Sequence, residues 1–368
     1  MYKTYINRPF DLIVIKVLKM LHLHFVARIL LFVIDKIVNK QMDAASRLHA
    51  IIPNPNNSCI CANTIVVDYD LQIIVPVYNV EAYIKECIDS ILKQKTHYHY
   101  VVTIVNDGST DSSREILRQY ENDPRIIIID QKNRGFSGAR NRALENIRGK
   151  YVMFVDSDDR LADHAIESLL NAAELSGADI VEGGSVFFRG HDTVKVIQYS
   201  YAQNLKELSG FAWGKVIRAE LMQHVHFPEG YWFEDTIFFF LLFDMAKNME
   251  RIGDMVYYYR QNEEGITISS KGKKKAIDTV YITGQLLKDR KQLGLPFSQD
   301  MYEKFLSQLH TNFYRTMFLK KVQLPVFLYS CQLKEKYFRD LHSQSAAQKL
   351  LDEALTSKNY GKFLDAMI

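Results

Sequence analysis

Three carboxylates within four positions, Asp156, Asp158 and Asp159 around Ser157, form the densest acidic cluster in the sequence. Like charges packed this closely cost energy unless a cation neutralises them. Carboxylates are hard oxygen ligands, suited to Mg²⁺ or Mn²⁺ held jointly with phosphate oxygens. A second acidic pair, Glu234-Asp235, stands immediately before the apolar stretch Thr236–Ala246. Its ordinary explanation is a favourable charge at a helix N-terminus. A third polar group, Asn106-Asp107-Gly108-Ser109-Thr110-Asp111, follows an apolar run. Turn and cap roles account for Asn79, Ser109 and Asp163, but not for the crowding at Asp156–Asp159. Two common phosphate cradles are missing: the sequence has no Gly-x-Gly, and no Gly-Lys followed by Ser or Thr. A nucleotide, if bound, must be held by metal and side chains.

The elements that position these groups follow from apolar patterning. Runs of strand length occur at Leu71–Val77, Val101–Val105, Arg125–Ile129 and Tyr151–Val155. Helix-like stretches lie between them near Glu81–Lys93, Ser112–Tyr120, Gly138–Ile147 and His164–Ala173. Strands alternating with helices predict βαβ units and a parallel sheet covered on both faces. Further strands are expected at Ala178–Phe188, Thr193–Tyr199 and Met255–Arg260, with an apolar helix at Thr236–Ala246. Ligands of open α/β sheets bind at the carboxyl ends of the strands. Three of these ends deliver polar groups: Val75–Asn79, Val105–Asp111 and Val155–Asp159.

Five ordered strings carry a resemblance: IIVPVYN at Ile73–Asn79, VNDGSTD at Val105–Asp111, NRGFSGARN at Asn133–Asn141, VDSDD at Val155–Asp159 and FEDTIF at Phe233–Phe238. From about Leu71 to Arg260 the chain resembles family 2 glycosyltransferases of the GT-A fold. The resemblance implies an α/β domain with a mixed, mostly parallel sheet and helices on both faces. It implies that Pro76, Val77 and Tyr78 contact the base and ribose of a nucleotide. Asp107 would accept from a uracil ring, which makes a UDP-sugar the expected donor. Arg140 would neutralise or position part of the nucleotide, and Asp156 and Ser157 would lie by the ribose and metal. Asp158, with Asp156, would ligate Mn²⁺ or Mg²⁺ through the diphosphate, while Asp159 is either a ligand or a cap. Asp235 of the Glu234-Asp235 pair would be the catalytic base. Trp213 could wall an acceptor site or pack in the core, and Arg260 could meet the diphosphate when a loop closes. The implied reaction is a single displacement of one hexose or N-acetylhexosamine onto a hydroxyl, inverting an α-linked donor to a β-linked product. Processive synthases of similar core carry Gln-x-x-Arg-Trp. Neither tryptophan here, Trp213 or Trp232, follows an arginine, so single-sugar addition is favoured. The rival reading is a GT-A-like protein that binds a nucleotide-sugar or glycan without turnover.

The composition fits these expectations. A 368-residue chain that is 47% hydrophobic can bury a full core. A net charge of +3 excludes wholesale nucleic-acid binding. Residues 1–40 hold seven basic and two acidic residues, leaving the remainder slightly acidic. The apolar stretch Asp11–Val38 is broken by charges and falls short of the roughly 20 apolar residues a spanning helix needs. It reads as a helix packed on the protein or as a basic helix on an anionic membrane surface, where a lipid-linked glycan acceptor would sit. Four scattered cysteines read as reduced thiols, placing the protein in the cytoplasm or on the inner membrane face. The expected organisation is an N-terminal helical segment and linker at 1–70, a catalytic domain at 71–270 and a C-terminal helical region at 271–368.

Overall fold

The computed structural model describes residues 44–262 and 270–367. They fall into two compact units: residues 57–230 with 234–262, and residues 44–56, 231–233 and 270–367.

The first unit is built on nine strands: β1 (Thr64–Val77), β2 (Tyr100–Asn106), β3 (Ile126–Asp130), β4 (Asn146–Phe154), β5 (Arg160–Leu161), β6 (Ile180–Arg189), β7 (Asp192–Ile197), β8 (Lys215–Arg218) and β9 (Met249–Arg260). They join in one sheet of order β3-β2-β1-β4-β8-β6-β9-β5, with β7 paired to β6. The β3-β2-β1-β4 half is parallel, whereas β8 runs antiparallel to β4 and β6. The sheet is therefore mixed, as expected.

Leu71, Ile73, Val75 and Val77 of β1 point into a core shared with Ile84, Cys87, Ile88 and Ile91 of the helix Ile84–Leu92. The helix Gly135–Leu144 packs on β1, β2 and β4, covering the sheet's other face. Every residue of β2 is buried, which is why its sequence is mostly apolar, with Thr103 accepting from Gln72 at 2.9 Å. Each fully buried Ile or Val side chain contributes roughly 1.5–3 kcal/mol. This core fixes the carboxyl ends of β1, β2 and β4, from which the polar loops emerge.

Several boundaries differ from the sequence-based expectation. β1 starts at Thr64, inside the expected linker, because Thr64 and Ile65 pair with Asn146 and Ile147 of β4. The same pairing ends the preceding helix at Leu144, where the periodicity suggested Ile147. β8 was hidden by its charged start: Lys215 is fully buried, its Nζ donating to the carbonyls of Ser209 (2.8 Å) and Phe211 (2.7 Å) beside Glu182 at 3.1 Å. β9 begins at Met249 rather than Met255, with the charged Glu250 and Arg251 masking its first turn of the pattern. The stretch expected as one apolar helix is a 3-10 turn at Glu234–Thr236, a π-helical segment at Phe238–Leu242 and a single α-turn at Phe243–Met245.

The second unit is helical, with Ala44–His49, Asp278–Gln292, Gln299–Thr316, Gln323–Tyr337, Lys349–Thr356 and Tyr360–Met367. Ser298 caps the longest described helix, Gln299–Thr316, accepting from the Met301 amide at 3.2 Å. Among the described residues no helix is long and apolar enough to cross a membrane. The expected membrane-contacting segment, residues 1–40, lies outside the described residues.

Candidate active site

The first polar loop is braced before any ligand arrives. Asn79, at φ +50°, accepts from the Thr110 amide at 2.8 Å, and the Val80 amide donates to Ser113 Oγ at 2.9 Å. Gly108 turns at φ +72°, where a Cβ would stand 3.1 Å from the Asn133 amide nitrogen. This approach brings the residue 131–134 loop onto Asp107. Asp107 is 1% exposed, and its Oδ1 accepts from Gln131 Nε2 (2.7 Å) and the Arg134 amide (2.8 Å). Its Oδ2 is buried with no hydrogen-bond partner among the described residues. An orphaned buried acceptor costs free energy until a donor reaches it. Pro76 and Val77 are buried at the end of β1, while the Tyr78 ring is 48% exposed beside them.

The carboxylates after β4 do three different things. Asp159 is buried and fully engaged, accepting from the Arg260 amide at 2.6 Å and the Tyr257 hydroxyl at 2.9 Å. Of its two expected roles, the geometry gives it the structural one. Asp156 is half-buried and accepts from Arg140 at 2.7 Å, while its own amide donates to the Tyr257 hydroxyl at 3.0 Å. Burial and the Asp156 charge push the Asp158 carboxyl up to about 6. Ser157 is buried between them. Among the described residues no group of three His, Cys, Asp or Glu side chains forms a ready-made metal cage. Asp156 and Asp158 instead suit a cation whose other ligands come from a diphosphate: they are hard donors with surplus negative charge.

Arg140 joins this cluster to the acid pair. It is 5% exposed, and its two terminal nitrogens donate to Asp156 (2.7 Å) and Glu234 (2.5 Å). The guanidinium lies over the rings of Phe136 and Phe227, and the two carboxylates hold it firmly charged. Carboxylates 16 and 94 positions away from Arg140 are thereby fixed to one planar fork. Burial, and then the neighbouring Asp235, push Glu234 up to about 7 despite Arg140, whose charge is shared with Asp156. Asp235 is half-buried beside it in the 3-10 turn.

Two expected site residues are engaged by neighbouring groups of the protein. Trp213 is 6% exposed and stacks on Phe211 and Tyr257 at 4.4 and 4.5 Å, so of its two expected roles it takes the core-packing one. Arg260 donates to the Asp158 carbonyl (2.7 Å) and to Glu86 (2.5 Å), beside the acidic cluster. Sequence reasoning passed over Gln131 and Arg134, which brace Asp107, and Tyr257, which ties Asp156 to Asp159. Arg134 stood within the quoted Asn133–Asn141 string, but nothing local marked Tyr257.

A family model described as glycosyl transferase family 2 matches residues 72–233, spanning Asp107, Arg140 and Asp156–Asp159. This stretch, somewhat under half of the chain, is similar to glycosyl transferase family 2. Glycosyltransferase GlyA of Streptococcus pneumoniae is 34% identical over 53% of this chain and 31% of its own length. EpsJ of Bacillus subtilis, an uncharacterized glycosyltransferase, is 33% identical over 54% of this chain and 62% of its own. The chain thus spans less than two thirds of either relative. Staphylococcus aureus TarS residues 1–349, solved in complex with UDP-GlcNAc, superpose with a TM-score of 0.62 at 21% identity. That match covers 81% of this chain and 90% of the TarS chain, and it shows the shared GT-A fold. The family 2 domain and the strands of its mixed sheet therefore agree with the expected fold class.

Proposed function

We propose that this protein is an inverting, non-processive glycosyltransferase that moves one hexose or N-acetylhexosamine from a UDP-sugar to a hydroxyl of a glycan acceptor. The observation that carries the proposal is the Arg140 fork, which fixes a carboxylate of the Asp156–Asp159 cluster and one of the Glu234-Asp235 pair on a single buried cation. A protein that only bound a nucleotide would have no use for the second acidic group.

In this reading the orphaned Asp107 Oδ2 accepts from the N–H of a uracil ring, and Tyr78 offers an exposed face to the base. The UDP-GlcNAc held by TarS supports a donor of this class. Asp235 takes the proton of the acceptor hydroxyl, whose oxygen attacks the anomeric carbon opposite the departing diphosphate. Inversion follows from that single displacement. Arg140 holds Glu234, and through it the turn bearing Asp235, at a fixed distance from the donor side. Asp156 and Asp158 would hold Mn²⁺ or Mg²⁺, which supplies Lewis-acid stabilisation of the leaving group. Asp158→Asn should abolish UDP release from the donor while leaving the thermal unfolding midpoint near that of the parent. Full activity in EDTA would contradict the metal's part in this account.

The acceptor is proposed to be lipid-linked, with residues 1–40 resting on an anionic inner leaflet. Each basic residue near such a surface contributes about 1 kcal/mol, screened by salt. Deleting residues 1–40 should abolish co-sedimentation with phosphatidylglycerol vesicles at low salt, and unchanged sedimentation would make that segment purely structural.

A further inference from the structure

Within the first unit, a cavity of about 550 Å³ opens between one helix and the start of β9. That volume is within the roughly 300–1,000 Å³ usual for small-molecule sites. The helix Ala165–Ser176 turns Ile166, Leu169, Leu170 and Ala173 into the core. It presents Ser168, Asn171, Ala172 and Leu175 to the cavity, the i, i+3, i+4, i+7 pattern of a second face. Opposite, Glu250, Ile252 and Asp254 alternate along β9 and so share one face of the strand. A short antiparallel bridge between Ala202 and Arg251 lays Tyr201 and Gln203 beside them. The Ala202 amide donates to the Arg251 carbonyl at 3.1 Å, and the Arg251 amide returns the bond at 2.8 Å. The Arg251 side chain meets Glu182 at 3.1 Å. The Tyr201 ring is 62% exposed at the rim. Glu250 is 1% exposed yet lines the cavity, and its Oε2 is buried with no hydrogen-bond partner among the described residues. Loss of solvent, and then the Glu250 carboxylate beside it, raise the Tyr201 hydroxyl above its ordinary range.

An orphaned buried carboxylate oxygen costs free energy until a donor reaches it. The two carboxylates in the lining, Glu250 and Asp254, disfavour an anion. A lone ammonium would use only those two groups. The hydroxyls of Ser168 and Ser176 and the amides of Asn171 and Gln203 line the same walls with neutral donors and acceptors. Such a set matches hydroxyls spaced around a sugar ring, and the open Tyr201 face suits the ring's apolar side. We propose that this cavity is a second saccharide site, taking an uncharged pyranose with its face on Tyr201 and a hydroxyl donating to Glu250. The site is remote from the donor loops. β9 runs from Glu250 to Tyr257, which holds Asp156 and Asp159, a span of roughly 20 Å at about 3.3 Å per residue. Its occupant is therefore a separate saccharide unit and not the nucleotide-sugar, and its binding stands apart from the transferase reading.

The test is calorimetric titration of the full chain with maltotetraose, cellotetraose and chitotetraose. Tetragalacturonate and spermidine serve as the charged comparisons. At least one neutral tetrasaccharide should bind, with an affinity that added salt leaves nearly unchanged and that persists in saturating UDP. Tyr201→Ala should weaken that binding about tenfold, whereas Tyr201→Phe should retain most of it because the ring remains. Glu250→Gln should weaken it as well, since an amide replaces the carboxylate that accepts from the sugar. Tyr201 is exposed, so its variants keep the fold and the parent's thermal unfolding midpoint even if Glu250→Gln does not. Binding of tetragalacturonate or spermidine alone, no binding of any neutral tetrasaccharide, or an affinity indifferent to Tyr201→Ala would overturn the proposal. A parent that binds a neutral tetrasaccharide through Tyr201 but binds no UDP would support this site and count against the transferase reading.

Discussion

Asp235→Asn should bind a UDP-sugar as tightly as the parent and release UDP from it at least about 10²-fold more slowly, the usual contribution of a general base. That loss corresponds to roughly 3 kcal/mol in the barrier. The substitution preserves size and removes only the proton acceptor, and Asp235 faces the acceptor in the proposed mechanism. Asp107→Asn is the complementary variant. It exchanges one Asp107 carboxylate oxygen for an amide donor, so it should raise the donor's Kd with a smaller effect on the chemical step. Steady-state kinetics with calorimetric donor binding separate the two. Near-parent turnover by Asp235→Asn would move the base elsewhere, with Glu234 the first suspect.

Arg140→Met should be the most destabilising single substitution in the site. The methionine fills much of the volume, but Asp156 and Glu234 lose the cation they share. Removing one partner of a buried pair typically costs about 3–5 kcal/mol, because the remaining charge is left uncompensated. Urea unfolding should show that drop at neutral pH. The sign of its pH dependence follows from Glu234. Its carboxyl is already raised to about 7 in the folded parent, so its proton stabilises the folded state and that contribution is lost as pH rises through about 7. Without Arg140 the carboxyl rises further, so the variant should recover part of its stability below neutral pH. A loss below about 1 kcal/mol would show that the fork is not the structural link argued for it.

The sequence made the parallel half of the sheet legible because its strands are buried on both faces and read as mostly apolar runs, as Leu71–Val77 and Tyr100–Asn106 do. Its strand ends were legible for the same reason, since a polar string after such a run must lie at the sheet's edge. The antiparallel half was harder to see. Lys215 and Glu250 are buried charges inside strands, and Lys215 is satisfied by backbone carbonyls and the distant Glu182, which no local pattern shows. The role of Arg140 was illegible for a related reason. Its position in a helix suggested a nucleotide contact or a surface charge, while its actual partners lie 16 and 94 residues away. Trp213 shows the converse limit: a tryptophan suited to a sugar ring is equally suited to a stack of Phe211 and Tyr257, and only the fold decides.

The central claim is transfer with inversion from a UDP-sugar, and proton NMR of the first sugar released tests it most directly. The parent protein, given UDP-glucose, UDP-galactose or UDP-GlcNAc with Mn²⁺ and water as acceptor, should cleave at least one of these α-linked donors slowly. Before mutarotation the free sugar should appear as the β-anomer. An α-anomer appearing first, or no UDP released from any of the three, would contradict the account.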